Sequence, residues 1–405
     1  AELRDLPAED LDPFDLLTDI PPEAAVYNAV TIVYTEGFGA SHTLQQELVR
    51  MASRRDWRQT GAAHLLREGF EPSAEPAGIR ELLAGPLEVD ASQEKVLETV
   101  RSTPLTVVTG PPGTGKSQLV VNIAANACLD GETVLIASTN NAPVDVATVR
   151  AVEQVAQALV VRTGNRHHAE LVPELISSAV VQAETFEANE PTRRAELELV
   201  ARERQVLLRA LGELGPAEEA VFENSESVEK STVGLWDRSP APALQLEVRI
   251  VQRRAERLIQ ARWFVKWRTR WLFHRLGCSG EGRSLELLVE WAVETQRRPV
   301  LVAELERLES IVGDPALSVT DADVKWQQAS LGAVRARIAA SIDNGSDQLG
   351  SFAAAAPNFD RLKGLIHHSL TVLPGWSCTA MSMSRNFKIE AGLFDLVVVD
   401  EASQC

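Results

Sequence analysis

The stretch Gly110-Pro111-Pro112-Gly113-Thr114-Gly115-Lys116-Ser117 constrains this chain more than any other. It fits G-x-x-x-x-G-K-[ST], a spacing that wraps backbone around a phosphate. Glycines let the main chain approach an anion without Cβ clashes. Successive N–H groups then form a nest, and the start of the following helix adds roughly half a positive charge. The flanks suit this. Residues 105–109, a short β-branched run, predict a buried strand. Residues 118–129 carry Leu119, Ile123 and Ala127 at helical spacing, with Gly131 beyond, and predict a helix. In such a cradle Gly110, Pro111, Pro112, Gly113, Thr114 and Gly115 line the phosphates. Lys116 sits between the β- and γ-phosphates, and Ser117 holds Mg²⁺ through its hydroxyl. ATP and Mg²⁺ are the expected ligands.

The matching half lies near the other end. Residues 394–399 form an apolar run closed by Asp400-Glu401. A buried strand ending in two acids supplies what the cradle lacks. Asp400 holds the Mg²⁺ shell, and Glu401 orients and deprotonates the attacking water. Residues 133–137 and 159–162 predict two further buried strands. The loop Ser138-Thr139-Asn140-Asn141-Ala142-Pro143 follows the first, where ligands bind in open parallel sheets. Its asparagines also suit plain turn and cap chemistry. Upstream, Asp90 or Ser92 can cap a helix carrying Val96, Leu97 and Val100 on one face. Gln93 opens that helix. It is either a solvent-facing residue or an adenine clamp, because an amide both donates and accepts.

Between these parts the pattern is helical. Helices are predicted over 184–214, 244–276, 284–312, 321–342 and 359–369, the second as one rod of about 50 Å. Together they suggest an antiparallel coiled-coil arm inserted into the sheet domain. Residues 262–275 interleave bases with Trp263, Trp267 and Trp271. Such a surface can stack bases and neutralise phosphates. The simpler reading packs the tryptophans into the arm's hinge and leaves the arginines solvated, and a peripheral membrane helix is a third. Residues 1–22 are acidic and proline-bearing, a linker or the tail of an earlier element. In 24–83, residues 30–34 read as a strand or a buried helical start, and Leu44, Leu48 and Met51 as a helix face.

Bulk properties bound the function. A net charge of −17 argues against a protein that coats nucleic acid generally, but not against a local basic groove. No run of 18 apolar residues exists, so no membrane span, and no membrane partner, is expected. Cys128, Cys278, Cys378 and Cys405 are far apart, which implies neither a zinc site nor a disulfide framework. A cytoplasmic setting follows. The chain starts at Ala1 and stops just past Asp400-Glu401-Ala402-Ser403-Gln404, which reads as a fragment of a longer protein.

At this point a resemblance enters. Gly110 to Ser117, Asn140 to Asp145 and Asp400-Glu401-Ala402-Ser403-Gln404 resemble motifs I, Ia and II of superfamily-1 helicases. The Asp-Glu-Ala-Ser-Gln form is most similar to the 5′-to-3′ branch that includes the nonsense-mediated-decay helicase. Ser92-Gln93 resembles that family's adenine-reading Q motif. The resemblance implies an α/β RecA-like P-loop domain, split as 89–165 and 371–405 around a helical insertion at 166–370, with 1–88 an accessory region. It implies adenine contacts from Gln93 and Gln404, and single-stranded DNA or RNA as partner. Asn141 and Thr379 are its candidate nucleic-acid contacts. It also implies a second RecA-like domain that closes on ATP, so this chain alone is expected to hold half a site and to have little activity. A P-loop ATPase switch acting on a protein partner through the helical arm is the alternative.

Overall fold

Asp90 starts the helix that precedes the glycine loop in the computed structural model, accepting the backbone N–H groups of Ser92 and Gln93. The chain divides into the units Ala1–Arg54 and Arg55–Cys405. The structure describes residues 49, 82–111, 113–164, 166–186, 189–244, 246–355, 365–387 and 392–402. Of the first unit this covers only Val49, so the elements expected between 24 and 81 lie outside the described residues.

In the second unit, α1 (Ala91–Ser102) leads through an extended segment and the glycine loop into α2 (Lys116–Asp130). Gly131 caps α2 in the left-handed conformation, as its position after the last periodic residue predicts. β1 (Val134–Ser138), α3 (Asn141–Arg150) and β2 (Val161–Arg162) follow. Then come α4 (Arg166–Glu184), α5 (Glu190–Trp236), α6 (Val248–Ile259), α7 (Val265–Leu276), α8 (Leu285–Val312), α9 (Pro315–Asn344) and α10 (Ser346–Ala355). β3 (Gly375–Thr379), the short α11 (Met383–Asn386) and β4 (Leu396–Asp400) complete the order.

The four strands form one parallel sheet in the order β2-β3-β1-β4. β1 is buried along its whole length, the apolar run of a strand covered on both faces. Trp376 on β3 is fully buried and meets Phe352 and Phe387 edge-on, with centroids 5.7 and 6.0 Å apart. Gly375 is required there, because a Cβ would lie 2.0 Å from the carbonyl oxygen of Leu159. α2 packs on the sheet through Val120, Val121, Ala124 and Cys128, and α9 closes the same core with Ala333, Val334 and Ile338. Among the described residues no helix is long and apolar enough to cross a membrane.

Three expectations are corrected. Residues 105–109 are extended but pair with no described strand, and Val107 is 78% exposed. A β-branched run favours extended backbone, but a strand needs a neighbour, and this run pairs with neither edge of the four-stranded sheet. Residues 244–276 do not form one rod: α6 stops at Ile259, and Phe264 turns the chain with a left-handed φ of 57° before α7. The tryptophans of that stretch do not pack inward. Leu272, Phe273 and Leu276 already fill the inner face of α7, which leaves Trp263, Trp267 and Trp271 outside.

α5 also outruns its expected end near Leu214, passing through Gly215 and Pro216 to Trp236. It packs against α8 and α9 along the way, and that contact outweighs the local breakers. Ala210 meets Leu308, and Asn224 donates to the backbone oxygen of Glu294 at 3.0 Å, so α5 and α8 run antiparallel. Each carries an interior proline, Pro216 in α5 and Pro299 in α8, at nearly the same level of the pair. The far end is a separate core of Leu235, Trp236, Val251, Leu272, Leu288 and Trp291.

Candidate nucleotide site

The cradle is built by backbone. Gly113 and Gly115 have φ of 86° and 72°, which only glycine adopts without strain. Gly115 is also the N-cap of α2 and offers no side chain to the first-turn N–H groups. Those donors are therefore left for an anion. The Lys116 ammonium folds back onto the carbonyl oxygens of Gly110 and Pro111 at 2.8 and 2.9 Å. The Thr114 hydroxyl donates to Pro111 at 2.9 Å. Lys116 is thus held at the mouth of the loop by neutral acceptors, which a phosphate would replace with charged ones. Ser117 lies in the first turn of α2, and Pro112 lies outside the described residues.

Gln93 is tied to this loop. Its Nε2 donates to the Thr114 carbonyl at 2.8 Å, and a Cβ on Gly115 would come within 2.7 Å of the same nitrogen. Asp90 positions it, because the cap fixes the first turn of α1. Hydrogen bonding from the Ser92 hydroxyl, then from the Gln93 N–H, holds the Asp90 carboxyl below the usual range.

The carboxyl ends of the strands meet in one row. Ser138 on β1 stands opposite Thr379 on β3 and opposite Asp400 on β4. Asp400 accepts the Glu401 backbone N–H at 2.9 Å, and Glu401 takes a left-handed φ of 54°. Among the described residues, the buried hydroxyls of Ser138 and Thr139 have no hydrogen-bond partner. Orphaned polar groups at this edge, the glycine cradle and a strand-end carboxylate fit a phosphate with a divalent cation. Among the described residues no three His, Cys, Asp or Glu side chains gather. A cation here would therefore depend on phosphate oxygens as well as Ser117 and Asp400. Gln404 lies outside the described residues.

Asn141 opens α3, and its Oδ1 accepts from Arg162 Nη2 at 2.8 Å. Arg162 also pairs with Asp145 at 2.7 Å. Thr379 donates to the Ser382 hydroxyl at 3.0 Å. Arg162 and Asp145 escaped the sequence reading as site residues, because nothing local marks an ion pair 17 residues apart.

A second missed group joins α5 to the site. Arg204 donates to both carboxylate oxygens of Glu94, at 2.8 and 3.0 Å, and to Asp323 at 2.6 Å. Its guanidinium lies 4.3 Å from the centre of the Trp326 ring. Burial pulls its pKa down, but the bonds to Glu94 and Asp323 outweigh burial and raise it.

No curated protein and no solved structure matches the chain. Residues 88–260 match the family model of an AAA domain, a P-loop NTPase type, over the segment from α1 through the glycine loop to α6.

Proposed function

We propose that this chain is the first RecA-like domain of an ATP-dependent nucleic-acid helicase or translocase of superfamily 1. The observation that carries the reading is the Lys116 ammonium, poised on loop carbonyls within a glycine cradle that Gln93 braces at Thr114. Gly110 through Ser117 would hold the triphosphate, and Gln93 with Gln404 the adenine. Ser117 and Asp400 would hold Mg²⁺, which neutralises developing phosphate charge. Lys116 would also stabilise that charge, and Glu401 would orient and deprotonate the attacking water. Asn141 and Thr379, at the carboxyl ends of β1 and β3, would touch the nucleic-acid backbone. Residues 166–370 would be a helical insertion between the two parts of the ATPase domain. The second reading, a switch that recruits a protein partner, draws on the length of the α5–α8 pair.

The test is binding of a fluorescent ATP analogue, and ATP turnover with and without single-stranded DNA and RNA. Lys116→Ala should abolish binding. Glu401→Gln should keep binding and lose whatever turnover the chain supports. Unchanged nucleotide affinity in Lys116→Ala would overturn the site. Turnover raised only by a protein partner would select the switch.

A further inference from the structure

The stretch from α6 through α7 inverts the charge of the molecule. Residues 248–276 hold nine Arg and Lys against one Glu, a local charge of +8 in a chain of −17. No Asp or Glu occurs between Glu256 and Glu281. In the same stretch Trp263, Phe264 and Trp267 are 78, 78 and 70% exposed, and Trp271 is 48% exposed. Neighbouring exposed aromatics of this size mark a contact surface rather than ordinary exterior.

Helix geometry gives the layout. With 100° per residue, Trp271 lies about 40° around α7 from Trp267, while the buried Leu272 and Leu276 lie about 140° and 180° from Trp267. Arg275 and Arg268 follow at about 80° and 100°, and His274 and Arg270 flank the other side at about −20° and −60°. The apolar stripe is one residue wide and hemmed by cations. An interfacial membrane helix needs a far broader apolar face, about 100° or more. A line of flat rings, each beside a cation, matches a chain of bases joined by phosphates. Two details agree. The Arg275 guanidinium already sits 5.3 Å from the Trp271 ring centre. Phe264, Trp267 and Arg268 line an open cleft.

We infer that the outer face of α7 is a second binding site for single-stranded nucleic acid, a stacking stripe remote from the nucleotide site. Single strands fit because duplexes hide the base faces that the rings would contact. α7 is about 18 Å long, enough for about four nucleotides. Trp236, which anchors this end, lies 32 residues beyond Arg204 on α5, about 48 Å along the helix. The stripe would therefore hold the strand away from the ATPase core. The inference shares one premise with the proposed function, that this chain handles a single strand.

The test uses the 405-residue chain, fluorescent oligo-dT and oligo-rU, and a salt titration. Trp263→Ala/Trp267→Ala should weaken binding about tenfold or more. Arg268→Gln/Arg270→Gln should flatten the slope of log affinity against log salt by about 1.4. All four side chains are exposed, so melting temperature and ATP-analogue affinity should stay at wild-type values. Wild-type affinity and slope in both variants would overturn the inference and leave the proposed function standing. Absence of binding to both oligo-dT and oligo-rU by the wild-type chain would overturn both, while ATP-analogue affinity reports the nucleotide site separately. Wild-type binding to phosphatidylglycerol vesicles but to neither oligonucleotide would make the stripe a membrane contact and also overturn the inference.

Discussion

Arg204 holds both carboxylate oxygens of Glu94, the residue next to Gln93, whose amide is bonded to the glycine loop. One bidentate pair thus joins the long helix α5 to the nucleotide site. Arg204→Met should lower unfolding stability by about 2 kcal/mol, less than a fully buried pair because Glu94 is partly exposed. It should also weaken ATP-analogue binding several-fold by loosening Gln93. Urea melts and analogue titrations of Arg204→Met, Glu94→Gln and the double variant measure the coupling. Additive effects on nucleotide affinity would mean that the pair is structural only.

Gly115→Ala tests the loop itself. The substitution imposes a Cβ at a φ of 72° and places it 2.7 Å from Gln93 Nε2. Strain of about 1 kcal/mol and displacement of Gln93 should reduce nucleotide affinity at least tenfold. Isothermal titration checks this, with the thermal midpoint expected to move by only a few degrees.

Asp90→Ala removes the cap of α1 and should cost about 1 kcal/mol at neutral pH. The folded carboxyl titrates below its ordinary value of 3.8, so its stabilisation is fully present above that value. It is lost as pH falls through the lowered pKa. Melting curves of wild type and Asp90→Ala should therefore converge under acid conditions. A constant gap down to low pH would disprove a charged cap.

Burial pushes the thiol of Cys128 up to about 12 and that of Cys378 up to about 11. Iodoacetamide at pH 8 should spare both in the native chain and label both in urea, as peptide mass mapping would show. Because these pKa values are raised on folding, the stability they carry is full below the ordinary thiol value of 9.0. It falls as pH rises above that value.

How legible this was depended on the range of the interactions. The glycine loop and the Gly131 stop are local and legible, while the cap of α1 was open between Asp90 and Ser92 until the structure gave it to Asp90. β1 and β4 were legible as apolar runs, offset by one or two residues from the observed strands, but β4 is not the buried strand expected: it edges the sheet, with Val397 and Val399 exposed. Residues 105–109 failed as a strand because pairing is settled by distant neighbours, not by β-branching. Phe264 broke the expected rod although no proline or glycine announced it. The ties from Arg204 to Glu94 and from Arg162 to Asn141 span 110 and 21 residues, so only the folded chain reveals them.

Pro216 and Pro299 gain meaning from their shared level in the α5–α8 pair. Each removes one backbone hydrogen bond from its own helix. Both helices are therefore softest at the same height, between the Arg204 anchor and the tryptophan-bearing tip. Bending of the pair should concentrate there, as at an elbow with stiff rods on either side. A bend of a few degrees would swing the tip by a few ångströms while leaving the ring stripe and the base of α5 internally unchanged.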